Sequence, residues 1–190
     1  MRILYTASEA LPYAASGGLA DVAGSLPAAL CKAGHDCRVV LPLYKSIKPE
    51  LRKDLRFLMN FTVDVGWRKQ YCGVFEGHAN NVTYYLLDNE YYYARDGLYG
   101  FYDDCERFVF LSRAVMELIR HIDWKPQIIN CNDWQTALVP VYYQTYYKYQ
   151  HGYEDIKTVF TIHNIQYQGQ YGFEILEDVF GIPKSEQSLL

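Results

Sequence analysis

The chain has 190 residues, the size of one large domain able to bury roughly 70% of its unfolded surface. Its 18 Lys and Arg stand against 22 Asp and Glu for a net charge of −4, and no segment gathers enough basic residues to neutralise several phosphates, which excludes nucleic acid as a partner. No run approaches the ~20 apolar residues of a membrane span, the N-terminus lacks the pattern of an export signal, and Cys31, Cys37, Cys72, Cys105 and Cys131 form an odd set without C-x-x-C; the expectation is a cytoplasmic protein with reduced thiols, no membrane association, no disulfide framework and no thiolate zinc site.

Apolar runs and helical patterns alternate along the chain. A strand is predicted over 2–7 and a helix over 18–33, in which Pro27 should cause a kink or a break after the first two turns and Gly34 marks the end. A strand over 36–41 follows. Between 57 and 88 the rhythm changes: strand-like runs at 57–63, 70–75 and 82–87, separated by Gly66 and by Asn80-Asn81, predict hairpins and so a β-meander embedded in the same domain. A helix over 103–121, a strand over 127–131, a helix over 133–148 and a strand over 156–162 complete the alternation, and Phe173 to Phe180 opens another helical pattern that the chain does not close before Leu190. The expected fold class is α/β, a Rossmann-like lobe with a parallel sheet covered on both faces.

In open parallel sheets ligands bind beyond the carboxyl ends of the strands, so the loops there hold the candidate residues. After the first strand come Ser8-Glu9 and then Ser16-Gly17-Gly18 at a helix start, where paired glycines admit a ligand close to the backbone and first-turn amides favour an anion. Neither G-x-G-x-x-G nor G-x-x-x-x-G-K-[ST] occurs, and two glycines alone equally describe a tight turn. Asp21 lies in the first turn of that helix, where its carboxylate suits the dipole. Asp133 follows the strand 127–131 and opens a helical pattern, which by itself makes it an N-cap. His163 and Asn164 follow the strand 156–162; the His163 ring can donate to a sugar hydroxyl, or be satisfied by a loop carbonyl. Tyrosine is the compositional outlier at 19 residues, a side chain that stacks on sugar rings and equally fills cores. The histidines show no metal-ligand spacing.

The opening strand with Ser8-Glu9, Pro12 and Gly17-Gly18-Leu19-Ala20-Asp21-Val22, then Gly34-His35-Asp36, Val39-Val40-Leu41-Pro42, Asn132-Asp133-Trp134-Gln135-Thr136-Ala137 and above all Phe160-Thr161-Ile162-His163-Asn164-Ile165-Gln166-Tyr167-Gln168-Gly169 resembles bacterial glycogen synthases and plant starch synthases over essentially the whole chain. The resemblance implies the incomplete N-terminal, acceptor-side half of a two-lobed GT-B glycosyltransferase, whose donor-binding C-terminal lobe is not in this chain. It implies retaining transfer of glucose from ADP-glucose to the non-reducing end of an α-1,4-glucan such as glycogen, with no metal or other cofactor. It further implies His163, Asp133 and Tyr93 as catalytic residues positioning the glucosyl unit, and Glu9, Ser16, Gly17, Gly18, Asp21 and Asn164 as substrate contacts. Two positions depart from the family pattern: Ala15 stands where its lysine contacts the donor phosphates, and Asn132 stands where a histidine usually precedes the aspartate. Ala15 keeps open a different nucleotide-sugar donor, and the fold with its tyrosines keeps open a catalytically silent glucan-binding protein.

Overall fold

The computed structural model describes residues 1–189, leaving Leu190 outside. One seven-stranded sheet runs in the order β3-β4-β5-β2-β1-β6-β7. Its strands are β1 (Arg2–Thr6), β2 (Asp36–Pro42), β3 (Arg56–Val65), β4 (Arg68–Ala79), β5 (Val82–Asp88), β6 (Ile128–Asn132) and β7 (Lys157–Thr161). β5, β2, β1, β6 and β7 are mutually parallel; β3 and β4 continue the sheet antiparallel beyond β5. The expected meander is therefore present as an extension of the parallel sheet. Asn80 and Asn81, at φ 50° and 64°, make its second two-residue turn, a conformation in which short polar side chains are favoured.

The helices are α1 (Gly18–Lys32), α2 (Pro49–Lys53), α3 (Glu90–Tyr93), α4 (Asp104–His121) and α5 (Leu138–Tyr142). Steps from β1 to β2 and from β5 to β6 move in opposite directions along the sheet, so right-handed crossovers place α1 on one face and α4, with α5 packed on it, on the other. Val39, Val40 and Leu41 of β2 and Leu4 and Tyr5 of β1 are consequently almost wholly buried, as strands covered on both faces must be. At the margin, β7 carries Val159 and Phe160 half open to solvent.

Two helix expectations need correction. α1 runs unbroken through the buried Pro27, so the proline ends no turn; the helix stops at Gly34 (φ +86°), where the amides of Gly34 and His35 return to the carbonyls of Cys31 and Leu30. The single helix expected over 133–148 is three pieces: a 3₁₀ turn at Trp134–Thr136, α5, and a π-helical turn at Tyr143–Tyr147. Pro140 within α5 has no amide hydrogen to continue the ladder back to the first piece. The helical pattern after Phe173 is realised as a π-helical turn at Leu176–Phe180 and a 3₁₀ helix at Lys184–Leu189.

Candidate active site

β1 is where the order of connections reverses: α1 leads to β2 on one side, and β6 lies on the other. At such a switch point the loops leave the strands in opposite directions and open a crevice. A cleft of about 890 Å³ lies there, within the size range of small-molecule sites. Glu9 and Ser16 to Gly18 line it from the β1 side, Asp133 from the end of β6, and His163 and Asn164 from the end of β7. The three loops expected to converge from sequence are thus brought together.

The ends of β6 and β7 are tied by one strained residue. Asp133 has φ 56° and ψ 177°, a region populated almost only by glycine and costing a side-chain-bearing residue about 1–3 kcal/mol. Hydrogen bonds hold it there. Its amide donates to the Thr161 carbonyl at 2.9 Å, and its Oδ1 accepts the amides of His163 at 2.7 Å and Asn164 at 3.3 Å. This corrects the N-cap expectation: the carboxylate makes no bond to the helical turn that follows, and fixes instead the backbone of the His163 loop. Thr136 Oγ1 accepts the Asn132 amide at 2.6 Å and closes the turn from the other side.

His163 itself is exposed to the cleft, with Nε2 2.8 Å from the Oδ1 of the fully buried Asn132. Across the cleft, the buried Glu9 carboxylate accepts the Ser16 amide at the start of α1, so an acidic group sits against the glycine loop. Tyr99 stands beside it, its hydroxyl 2.7 Å from Ser8 Oγ, and burial followed by the nearby Glu9 charge pushes its phenol well above the ordinary tyrosine range. Glu9, Asp104 and Asp133 bring three carboxylates to the lining, and among the described residues no lysine or arginine contributes to it. Carboxylates, amides and aromatic rings together suit a polyhydroxylated ligand, since each hydroxyl can donate to an acid and accept from an amide. Among the described residues no group of three or more His, Cys, Asp or Glu is placed to hold a metal ion.

Two candidates fall outside the lining. Tyr93 is wholly buried: the short α3 turns it inward, where its ring meets Tyr44 edge-on at 5.5 Å and its hydroxyl donates to the Arg107 carbonyl at 3.2 Å. Tyr99, further along the same segment, is the tyrosine that reaches the cleft. Asp21 is exposed on the first turn of α1 and is absent from the lining, leaving it the role of a carboxylate near a helix N-terminus. Sequence reasoning also missed Asp104, Trp134, Gln135 and Tyr167. Gln135 is buried with its Oε1 unpartnered among the described residues, and Asp104 accepts the Gly100 amide at 2.7 Å while pairing with the fully buried Arg107 at 2.5 Å. Only the tertiary fold brings these to one place; the position of Trp134 and Gln135 next to Asp133 was the available signal.

Gly169 explains the local fit of the last lining segment. At φ +59° it is in the left-handed region, and a Cβ there would lie 2.3 Å from Trp134 Cε3, so the loop that carries His163 and Asn164 can close over the indole only with glycine at this position. The indole is held from beneath by Phe108, edge-on at 5.1 Å.

Comparison with known proteins gives a consistent picture. The family model for the starch synthase catalytic domain matches residues 2–189. A glycogen synthase of Clostridium botulinum (strain Alaska E43 / Type E3) is 54% identical over 182 residues, covering 95% of this chain and 38% of that protein. A glycogen synthase of Geobacillus stearothermophilus is 48% identical over 182 residues, 96% of this chain and 38% of its own. Among solved structures, the catalytic domain of starch synthase IV from Arabidopsis thaliana, bound to ADP and acarbose, superposes with a TM-score of 0.86 at 31% identity, over 93% of this chain and 36% of that one. The chain thus spans a little over a third of the length of these relatives.

Proposed function

Because the chain belongs to the starch synthase catalytic domain family, we propose that it is the N-terminal, acceptor-side lobe of a two-lobed GT-B glucosyltransferase that moves glucose from ADP-glucose to the non-reducing end of an α-1,4-glucan, with retention at the anomeric carbon. The observation that carries the reading is the convergence of Asp133, His163 and the Gly17-Gly18 helix start on one cleft at the switch point of the sheet. In this reading His163 and Asn164 contact the transferred glucosyl unit, Asp133 holds their loop, and the first-turn amides of α1 face the departing diphosphate. Among the described residues the lining has no lysine or arginine, so in this reading the remaining diphosphate charge falls to a second lobe, which would also close water out. The reading carries with it a reducing cytoplasm for the odd set of cysteines.

One observation favours a second reading. Ala15, exposed beside the glycine loop, cannot make the charged phosphate contact of the family lysine, which fits a donor other than ADP-glucose. Measuring nucleoside diphosphate release with glycogen and a panel of nucleotide sugars, in the full-length protein carrying these residues, decides between the two. The expected outcome is preference for ADP-glucose, abolished to below a hundredth by His163→Ala, and no turnover by the 190-residue chain alone. Turnover by this chain near the full-length rate would refute the division of labour between lobes.

A further inference from the structure

A chain of polar groups, wholly buried at Thr6 and Asn132 and partly buried at Asn130 and Thr161, runs beneath the cleft across the carboxyl ends of three adjacent strands. Thr6 ends β1, Asn130 and Asn132 stand two apart on β6, and Thr161 ends β7. Thr6 Oγ1 donates to the Asn130 carbonyl at 3.1 Å, and Asn130 Nδ2 reaches Thr161 Oγ1 at 3.4 Å. Asn132, wholly buried, is the member that meets His163. Buried polar groups of this kind are costly unless satisfied, so the direction of each bond can be worked out from what each atom is able to do.

The side-chain amide of Asn132 has only one orientation compatible with its surroundings. Its Nδ2 lies 3.0 Å from the Thr6 carbonyl, 3.3 Å from the Asn130 carbonyl and 2.8 Å from Asn130 Oδ1. Two of these three partners are backbone oxygens, which can only accept. Exchanging Nδ2 and Oδ1 would set an oxygen against both of them and leave a buried NH₂ facing the imidazole. Oδ1 is therefore the atom 2.8 Å from His163 Nε2, and an amide oxygen can only accept, so Nε2 must carry the hydrogen. His163 Nδ1 has no hydrogen-bond partner among the described residues, while the ring lines the cleft.

We infer that Asn132 is a positioning residue that selects, between the two neutral tautomers of His163, the one protonated on Nε2, so that the neutral imidazole offers Nδ1 to the cleft as a hydrogen-bond acceptor. Resting on the sugar-site reading above, the partner is a ligand hydroxyl that donates its proton to Nδ1. His163 then discriminates for a group with a donor hydrogen and against an ether, a deoxy position or an anionic oxygen at that point. A histidine at position 132 could present either a donor or an acceptor to its neighbour, whereas an amide fixed by two backbone carbonyls presents only an acceptor.

The test is nitrogen NMR on the 190-residue chain labelled with ¹⁵N-histidine, recorded near pH 9, where an unperturbed imidazole is neutral. The expected spectrum of His163 has Nε2 at the protonated position with a visible, exchange-protected proton and Nδ1 at the unprotonated position. In Asn132→Leu that proton signal disappears into fast exchange and the two nitrogens shift toward the mixture of an unrestrained imidazole. Protonation on Nδ1 in the wild type, or an unchanged Nε2 proton in Asn132→Leu, overturns the inference. Should the leucine variant fail to fold, the wild-type spectrum still decides, because only the Nε2-protonated form is allowed. Adding ADP-glucose to the full-length protein carrying these residues, or the analogue of it lacking the donating glucosyl hydroxyl, separates this from the sugar-site reading. A shift of Nδ1 with the first and not the second supports both; an assigned Nε2 tautomer with no response of any cleft residue to sugar leaves the tautomer standing and refutes the site reading; a response of cleft residues that leaves Nδ1 unmoved overturns its role as acceptor.

Discussion

The strain at Asp133 can be measured by a pair of substitutions. Asp133→Ala and Asp133→Gly both delete the carboxylate and its bonds to the His163 and Asn164 amides. They differ in backbone freedom at φ 56°, ψ 177°. Alanine retains the steric penalty of about 1–3 kcal/mol, while glycine escapes it but gains unfolded-state entropy worth about 0.5–1 kcal/mol. The difference leaves glycine the more stable of the two by roughly 1 kcal/mol, or about 2–4 °C in Tm for a chain of this length. Parallel calorimetric or circular-dichroism melts of the two variants read this difference without reference to activity. Asp133→Ala melting at or above Asp133→Gly would show that the backbone at the end of β6 is not strained, and would remove the argument that the carboxylate bonds hold it in place.

Gly169→Ala should cost at least about 2 kcal/mol, since it adds a left-handed penalty to a collision with Trp134, and the indole emission should change as the ring leaves Phe108; an unchanged Tm would show that the loop closes without contact. Stability should fall in alkali. Burial pushes the thiols of Cys37 and Cys131 from 9.0 up to about 12, and the phenols of Tyr5 and Tyr84 from 10.0 up to about 12. The native chain therefore holds protons that the unfolded chain has released between these values, and stability is full below about pH 9 and lost as pH climbs toward 12. Urea midpoints flat to pH 8.5 and declining above it would agree; a rise above pH 9 would contradict the burial of these groups. Ala15→Lys in the full-length protein should lower KM for the donor about tenfold or more, through a charge-assisted contact of about 1.5–3 kcal/mol, and an unchanged KM would mean that the loop meets the donor by its amides alone.

Much of the architecture was legible because burial on two faces writes itself into β1, β2 and β5 as largely apolar runs, and Asn80-Asn81 announces its turn. The expected break at Pro27 is not there because one missing ladder bond is carried by a helix whose inner face, Pro27 included, is buried against the sheet. The region after Asp133 misled for the opposite reason: its helical periodicity is real, yet Pro140 and the crowding of Tyr142, Tyr143 and Tyr147 into the interior divide it. In the cleft, residues directly at strand ends were readable, since the strand fixes where the next residue must lie. Tyr93 and Tyr99 were not separable by sequence, because which tyrosine of a clustered run turns inward is settled by Arg107, a fully buried cation whose guanidinium binds the Tyr92 and Leu98 carbonyls. Asp104 belongs to the same interaction and was legible only as a helix start.

The two margins of the sheet are defended unequally. β3 meets solvent with Arg56 and Asp64, charges that repel an approaching strand, and both are paired with β4. β7 carries a charge only at its first residue, Lys157, and presents Val159 and Phe160, each 44% exposed, with Ile162 just beyond at 57%. Among the described residues its outer row of amide and carbonyl groups has no neighbour in the sheet order. An apolar rim of this kind is a template on which an extended segment can pair. A charge placed at Val159 would blunt pairing along this rim while leaving the cleft untouched.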